Sequence, residues 1–300
     1  YGLIHEGKTA VIEMASCAGL PLVEDRKNPK LTTTYGVGQL ILAAAESGVE
    51  KIIVGLGGSS TNDGGCGAAA AVGIKFYDKD GKEFVPTGGT TADIAKIDLS
   101  GKAKVLDQVE IVTMCDIDNP MYGPTGASYI FGPQKGADEA MVEELDAGIK
   151  NLSRVIAEAT GEDISQVPGT GAAGAMGAGM IAFFGSRLQM GIQTVLDTVN
   201  FDEMIKDADY IITGEGKLDS QSLRGKVVIG IAERAKKQNK NVIAVVGGAD
   251  DSEIDKAYEM GVTAVFPINR LPQDFSVSRH HSKENLGYTV DNILRLLATK

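Results

Sequence analysis

The stretch VGLGGSSTNDGGCG, residues 54–67, decides how the chain reads. A hydrophobic strand pattern runs into a loop of glycines and hydroxyls with one carboxylate, and the loop runs into an alanine-rich helix. That order suits an oxyanion or phosphate. Gly57 and Gly58 permit positive φ and close backbone approach, N–H groups at the helix start face an anion, and Ser59, Ser60 and Thr61 add hydroxyl donors. Asp63 repels phosphate unless a metal ion stands between them, so the loop predicts phosphate with magnesium. The competing reading is close packing of helix on sheet, a use that glycine loops also serve.

On either side of the loop the pattern is α/β. Residues 8–14 and 51–55 read as strands, 36–47 and 64–72 as helices, and 74–84 as a hairpin around Asp80-Gly81. Residues 1–14 read as two strand-like pieces about a Glu6-Gly7-Lys8 turn. A strand is expected at 109–115, a long amphipathic helix at 137–159, and a small-residue segment, GTGAAGAMGAG at 169–179, entering a helix that runs to about Phe184. Beyond Phe201 strands and helices alternate strictly: strands 210–213, 242–246 and 264–267, helices 227–237, 252–260 and 284–298. This is the pattern of βαβ units on a parallel sheet. Residues 270–282 lack periodicity and read as a mobile connection. The expected fold class is α/β in two domains, a larger glycine-rich domain at 1–205 and a βαβ parallel-sheet domain at 206–300. Three strands are few for a free-standing sheet, so further strands are expected from sequence preceding Tyr1.

Composition narrows the function. A net charge of −11, with the 29 basic residues scattered, argues against nucleic-acid or anionic-membrane partners. Three well-separated cysteines without a CxxC pair suit a reducing cytoplasm, and no apolar run reaches the ~18 residues of a membrane helix. Gly225-Lys226 is not a P-loop, because Ser220 and Val227 stand where glycine and Ser or Thr belong. Gly169, Gly171 and Gly174 match GxGxxG, but Pro168 and the polar run at 163–167 replace the strand that a dinucleotide site needs. This weakens a third reading, an NAD-dependent oxidoreductase. The three histidines form no metal spacing, and Cys66 reads as core packing.

Two further runs carry chemistry. TGEGKLDSQSLRGK, residues 213–226, follows a strand end, where open α/β sheets bind ligands. It offers Glu215 and Asp219 as metal ligands or base, with Gly214 and Gly216 beside them. Lys217, Arg224 and Lys226 supply positive charge, and Gln221 and Ser222 are donors. CDIDNPMYGPTGASYIFGPQKG, residues 115–136, places Asp116 and Asp118 after a strand as possible magnesium ligands and presents Lys135 on a stiff turn.

In this order and at these separations, the runs VGLGGSSTNDGGCG, DIDNPMYGPTGA, FGPQKGA, PGTGAAGAMGAG and TGEGKLDSQSLRGK resemble the bacterial glycerate kinase family of type I. The resemblance extends from Gly2 to about Ile293. It implies ATP-dependent phosphorylation of D-glycerate to 2-phosphoglycerate with Mg²⁺. It further implies an active site in the cleft between an inserted domain and a discontinuous one. Under that expectation Gly57, Gly58, Ser59, Ser60, Thr61, Lys135, Gly214 and Gly216 contact nucleotide or phosphate, and Asp63, Asp116 and Glu215 hold metal. Lys217 and Arg224 take the glycerate carboxylate, and Asp219, at a strand end between cations, is the base. A homodimer is a candidate assembly. Family members begin with a strand and a loop of Asp, Ser, Phe, Lys and Gly that this sequence lacks at its start, so the alternative expectation is an inactive ligand-binding fragment.

Overall fold

The computed structural model describes residues 1–220 and 222–299. The chain divides into two compact units, Tyr1–Gln189 and Met190–Lys300. The boundary anticipated near 205 falls inside the second unit, at the end of the short helix Phe201–Met204.

The first unit carries strands β1 (Gly2–Ile4), β2 (Thr9–Glu13), β3 (Lys51–Gly55), β4 (Lys75–Tyr77), β5 (Glu83–Phe84), β6 (Lys96–Asp98), β7 (Glu110–Met114) and β8 (Arg187–Gln189). Five of them form one sheet in the order β1-β2-β3-β7-β8. β1 and β2 are antiparallel across the turn read at Glu6-Gly7-Lys8, whereas β2, β3, β7 and β8 run parallel. In β3, Ile52, Ile53 and Val54 are all buried, as expected of a strand covered on both faces. Removing such side chains from water is worth roughly 1.5–3 kcal/mol each. A second, antiparallel sheet, β5-β4-β6, forms around the Asp80-Gly81 hairpin.

The long helix Glu139–Thr160 begins where Asp138 accepts a hydrogen bond from the Met141 amide and ends at Gly161 in the left-handed conformation. Its stripe Val142, Leu145, Ile149, Leu152 and Ile156 is buried. Close backbone approach shapes the rest of the core. A Cβ at Gly38, in helix Tyr35–Glu46, would lie 2.2 Å from the carbonyl oxygen of Ala68, in helix Cys66–Ala71.

The second unit has a parallel sheet, β11-β10-β9, with β9 at Tyr210–Glu215, β10 at Asn241–Val246 and β11 at Ala264–Pro267. β10 is buried on both faces. Val242, Ala244 and Val246 join one hydrophobic cluster, while Ile243 and Val245 join another with Ile293 of the last helix. The segment read as a mobile connection carries a short helix, Phe275–Ser278, and a 3₁₀ turn over Arg279–His281. Its turns are too short to show a helical period. Among the described residues no helix is long and apolar enough to cross a membrane.

Candidate active site

At the C-terminal end of β3 the chain enters the loop quoted first. Its backbone is pinned by Ser60, whose amide and hydroxyl both donate to the Ala18 carbonyl, and by the Leu20 amide donating to the Gly58 carbonyl. Gly57 and Gly58 are exposed, and Gly58 has φ +71°. They line a cavity of about 400 Å³ together with Ser59, Asp116, Phe131 and Lys135. Three runs remote in sequence, 55–59, 114–117 and 131–135, thus meet in one concave site at the ends of β3 and β7, where parallel sheets bind their ligands.

Asp63 does not face this cavity as a spare ligand. It is fully buried, and its carboxylate accepts hydrogen bonds from the Thr34 amide at 2.8 Å, the Thr34 hydroxyl at 2.9 Å, and the Gly65 and Gly67 amides at 3.2 Å each. Burial pushes its carboxyl above the usual range, and the four hydrogen bonds oppose that shift. With both oxygens committed, the magnesium role expected of Asp63 gives way to anchoring the loop onto the start of helix Tyr35–Glu46. Cys66 beside it is buried, as read from the sequence, and its thiol is pushed well up by burial and then by Asp63.

Lys135 is the unusual cation. Only 2% of it is exposed, and its Nζ donates to the Thr61 carbonyl at 2.6 Å. Burial lowers its pKa to about 7, with the negative charge of Asp63 acting in the opposite direction. In the same loop Ser59 Oγ, Thr61 Oγ1 and Asn62 Oδ1 are buried without a hydrogen-bond partner among the described residues, and of these only Ser59 lines the cavity. Such atoms cost stability when left unmet.

The glycine segment before Phe184 closes this region from another direction. Ala173, Gly174 and Ala175 adopt left-handed φ of 55°, 69° and 63° before helix Ala172–Phe184 settles into right-handed geometry. For alanine this costs roughly 1–2 kcal/mol per residue. A Cβ at Gly174 would lie 2.0 Å from the Thr61 carbonyl oxygen, and one at Gly179 would lie 2.5 Å from that of Gly64. The two glycine clusters therefore pack on each other. The packing reading holds for Gly64, Gly65, Gly174 and Gly179, and the ligand reading is left to Gly57 and Gly58. Thr34, Ala173 and the Asn62–Ser128 hydrogen bond of 3.1 Å were not anticipated. Their only signal is position, a lone Thr before a helix and small residues between glycines.

In the second unit the run 213–226 leaves the end of β9. Glu215 is half-buried, with Oε1 lacking a partner among the described residues. Burial raises its carboxyl, a shift opposed by Ser222 and Lys226 and reinforced by Asp219. The Asp219 amide and the Ser222 hydroxyl are 3.1 Å apart, and that hydroxyl donates to the Lys217 carbonyl at 3.2 Å, folding the loop back on itself. Lys217 and Arg224 are exposed. A Cβ at Gly214 would meet the Val245 carbonyl oxygen at 2.2 Å, whereas Gly216 faces open space. Gln221, expected to be a donor, lies outside the described residues.

No group of three or more His, Cys, Asp or Glu side chains suited to a metal occurs among the described residues. This donor set still fits Mg²⁺, which keeps several waters and uses one or two carboxylates plus substrate phosphates. Asp116 stands on the wall of the first unit's cavity, and Glu215, in the second unit, has a buried oxygen without a partner among the described residues.

Comparison with known proteins agrees with this fold and these motifs. The model of the glycerate kinase family matches residues 1–298. The chain is 45% identical over 294 residues to a glycerate kinase of Bacillus cereus, covering 98% of this chain and 77% of the relative. It is 46% identical over 269 residues to the glycerate 2-kinase of Escherichia coli K12, covering 89% and 70%. A solved structure assigned as glycerate kinase 2 from Salmonella typhimurium LT2 superposes with a TM-score of 0.85 at 39% identity, covering all of this chain and 78% of that one. Five ordered motifs, a shared fold and this level of identity over nearly every residue make the chain a kinase of the glycerate kinase family.

Proposed function

We propose that the protein transfers the terminal phosphoryl group of ATP, with Mg²⁺, to the 2-hydroxyl of D-glycerate, giving 2-phosphoglycerate and ADP. The observation that carries this reading is the first unit's cavity, where Gly57, Gly58, Ser59, Asp116 and Lys135 converge from separate motifs. Phosphoryl transfer asks little covalent chemistry of a protein. It needs reactants held in line, charge neutralised, and a group to receive the hydroxyl proton.

In this reading the wall of Gly57, Gly58 and Ser59 with Lys135 receives an anionic group of a reactant; Ser60 and Thr61, also expected there, do not line the cavity, and the Ser60 hydroxyl is committed to the Ala18 carbonyl. Asp116 in the first unit and Glu215 in the second are each a candidate carboxylate for Mg²⁺, which when bound would neutralise phosphate charge. Lys217 and Arg224 supply further positive charge, Gly214 and Gly216 let backbone approach a ligand, and Asp219 accepts the hydroxyl proton. The names of the relatives, glycerate kinase and glycerate 2-kinase, support this choice of acceptor.

The experiment is ADP release on mixing the protein with ATP, Mg²⁺ and D-glycerate, with phosphorus NMR of the product. A resonance of 2-phosphoglycerate is expected. 3-Phosphoglycerate would overturn the regiochemistry, and ADP release indifferent to D-glycerate would overturn the kinase assignment.

A further inference from the structure

The cavity at the ends of β3 and β7 has a definite chemical bias. Its lining includes one buried cation, Lys135, and a buried hydroxyl, Ser59 Oγ, that has no partner among the described residues. Among the described residues the Lys135 ammonium has one hydrogen-bond acceptor, the Thr61 carbonyl, which leaves two of its three N–H donors unused. The remaining wall includes Leu56, Met114, Ile117 and Phe131, an apolar lining suited to a short carbon chain. At about 400 Å³ the space lies near the small end of ligand pockets, which run roughly 300–1,000 Å³.

Charge decides between the two anions that a kinase of this kind handles. A nucleotide triphosphate brings several negative charges, and this cavity offers it one buried lysine. A hydroxy acid brings one negative charge, matched by one lysine, and its hydroxyl groups can donate to Asp116.

We propose that Lys135 and Ser59 form the subsite for the carboxylate of the acceptor substrate, with the Lys135 ammonium and the Ser59 hydroxyl both donating to it. The inference rests on the glycerate kinase reading and moves the substrate carboxylate from Lys217 and Arg224, where the sequence suggested it, to the first unit. The ammonium, which burial disfavours, is stabilised once a carboxylate lies against it.

Ser59→Ala is a clean probe. The position is held through its backbone, which bridges Gly19, and the hydroxyl removed has no partner to lose. A merely structural serine would leave ligand affinity alone. Calorimetric titrations of D-glycerate, with and without the nonhydrolysable analogue AMP-PNP and Mg²⁺, test the idea on wild type, Ser59→Ala and Lys135→Met. Expected are a Kd for D-glycerate about tenfold weaker in Ser59→Ala and about a hundredfold weaker in Lys135→Met, AMP-PNP affinity within about twofold of wild type, and an unchanged or raised Tm for Ser59→Ala.

If Lys135→Met does not fold, Ser59→Ala decides alone. D-Glycerate binding that Ser59→Ala leaves unaltered, or a loss of AMP-PNP affinity in its place, overturns the subsite, as does wild-type protein that binds no D-glycerate. Wild type that binds D-glycerate through this wall yet releases no ADP with ATP overturns the kinase reading and leaves the subsite standing.

Discussion

Asp63 shows how one residue type in a glycine loop can serve either of two ends. From the sequence it was a metal ligand, since nothing else reconciles a carboxylate with a phosphate loop. In the fold Thr34, which lies 29 positions earlier, supplies an amide and a hydroxyl, and Gly65 and Gly67 supply two more amides, so that three donors meet one carboxylate oxygen and one meets the other. Asp63→Asn sets an amide NH₂ against at least one of those donors and is expected to destabilise by about 1–3 kcal/mol. Asp63→Ala strands all four and is expected to cost about 3 kcal/mol or more. Urea unfolding measures both. An Asp63→Asn enzyme with wild-type stability and an altered Mg²⁺ requirement would restore the metal role. Lys135 was legible as a chemically loaded residue because a stiff Gly-Pro turn presents it, but its burial was not. A lysine reads as exposed until the Thr61 carbonyl that receives it is placed in space.

Many of the strands and helices were legible where their periodicity was unbroken. β3 and β11 fall at the expected bounds, and the helices anticipated at 36–47 and 227–237 appear as Tyr35–Glu46 and Val227–Lys236. Helix Gly191–Thr198 went unread, and the rest of what escaped was short or set by contact. β6 and β8 have three residues each, too few to show alternation, and each exists because a neighbouring strand is there to pair with it. The left-handed turn at Ala173 to Ala175 has no local signature, because alanine favours the opposite hand. It persists because Gly174 rests against Thr61 and its carbonyl receives the Gly64 amide. Gly174→Ala is therefore expected to force this turn away from the 61–65 loop. The expected cost is about 1–3 kcal/mol, with weaker D-glycerate binding because Thr61 carries the acceptor of Lys135. Gly287→Ala is the contrast. That glycine lies in helix Ser282–Leu297 with open space around it, and the change should stabilise by about 0.5–1 kcal/mol. Equal effects of the two substitutions on Tm would remove the case for a packing constraint at Gly174.

Across the whole molecule, an acidic chain takes anionic reactants. The formal charge is −11, and the cations assigned to binding are few, one of them buried and the others exposed on a single loop. Far-field repulsion and short-range attraction respond differently to salt. At about 0.01 M ionic strength the screening length is ~30 Å, so an approaching carboxylate or phosphate meets the summed negative field; near 0.15 M it is ~8 Å, and that field is confined to the surface. The contact with Lys135 operates over a hydrogen-bond distance in a site removed from solvent, where added ions screen it far less. Raising NaCl from about 0.01 to 0.15 M is therefore expected to raise kcat/KM for D-glycerate by about two- to fivefold through KM, with kcat held. Initial rates at fixed free Mg²⁺ measure this. A fall in kcat/KM over the same range would mean that Lys217, Arg224 and Lys226, all exposed, set the potential that a substrate meets.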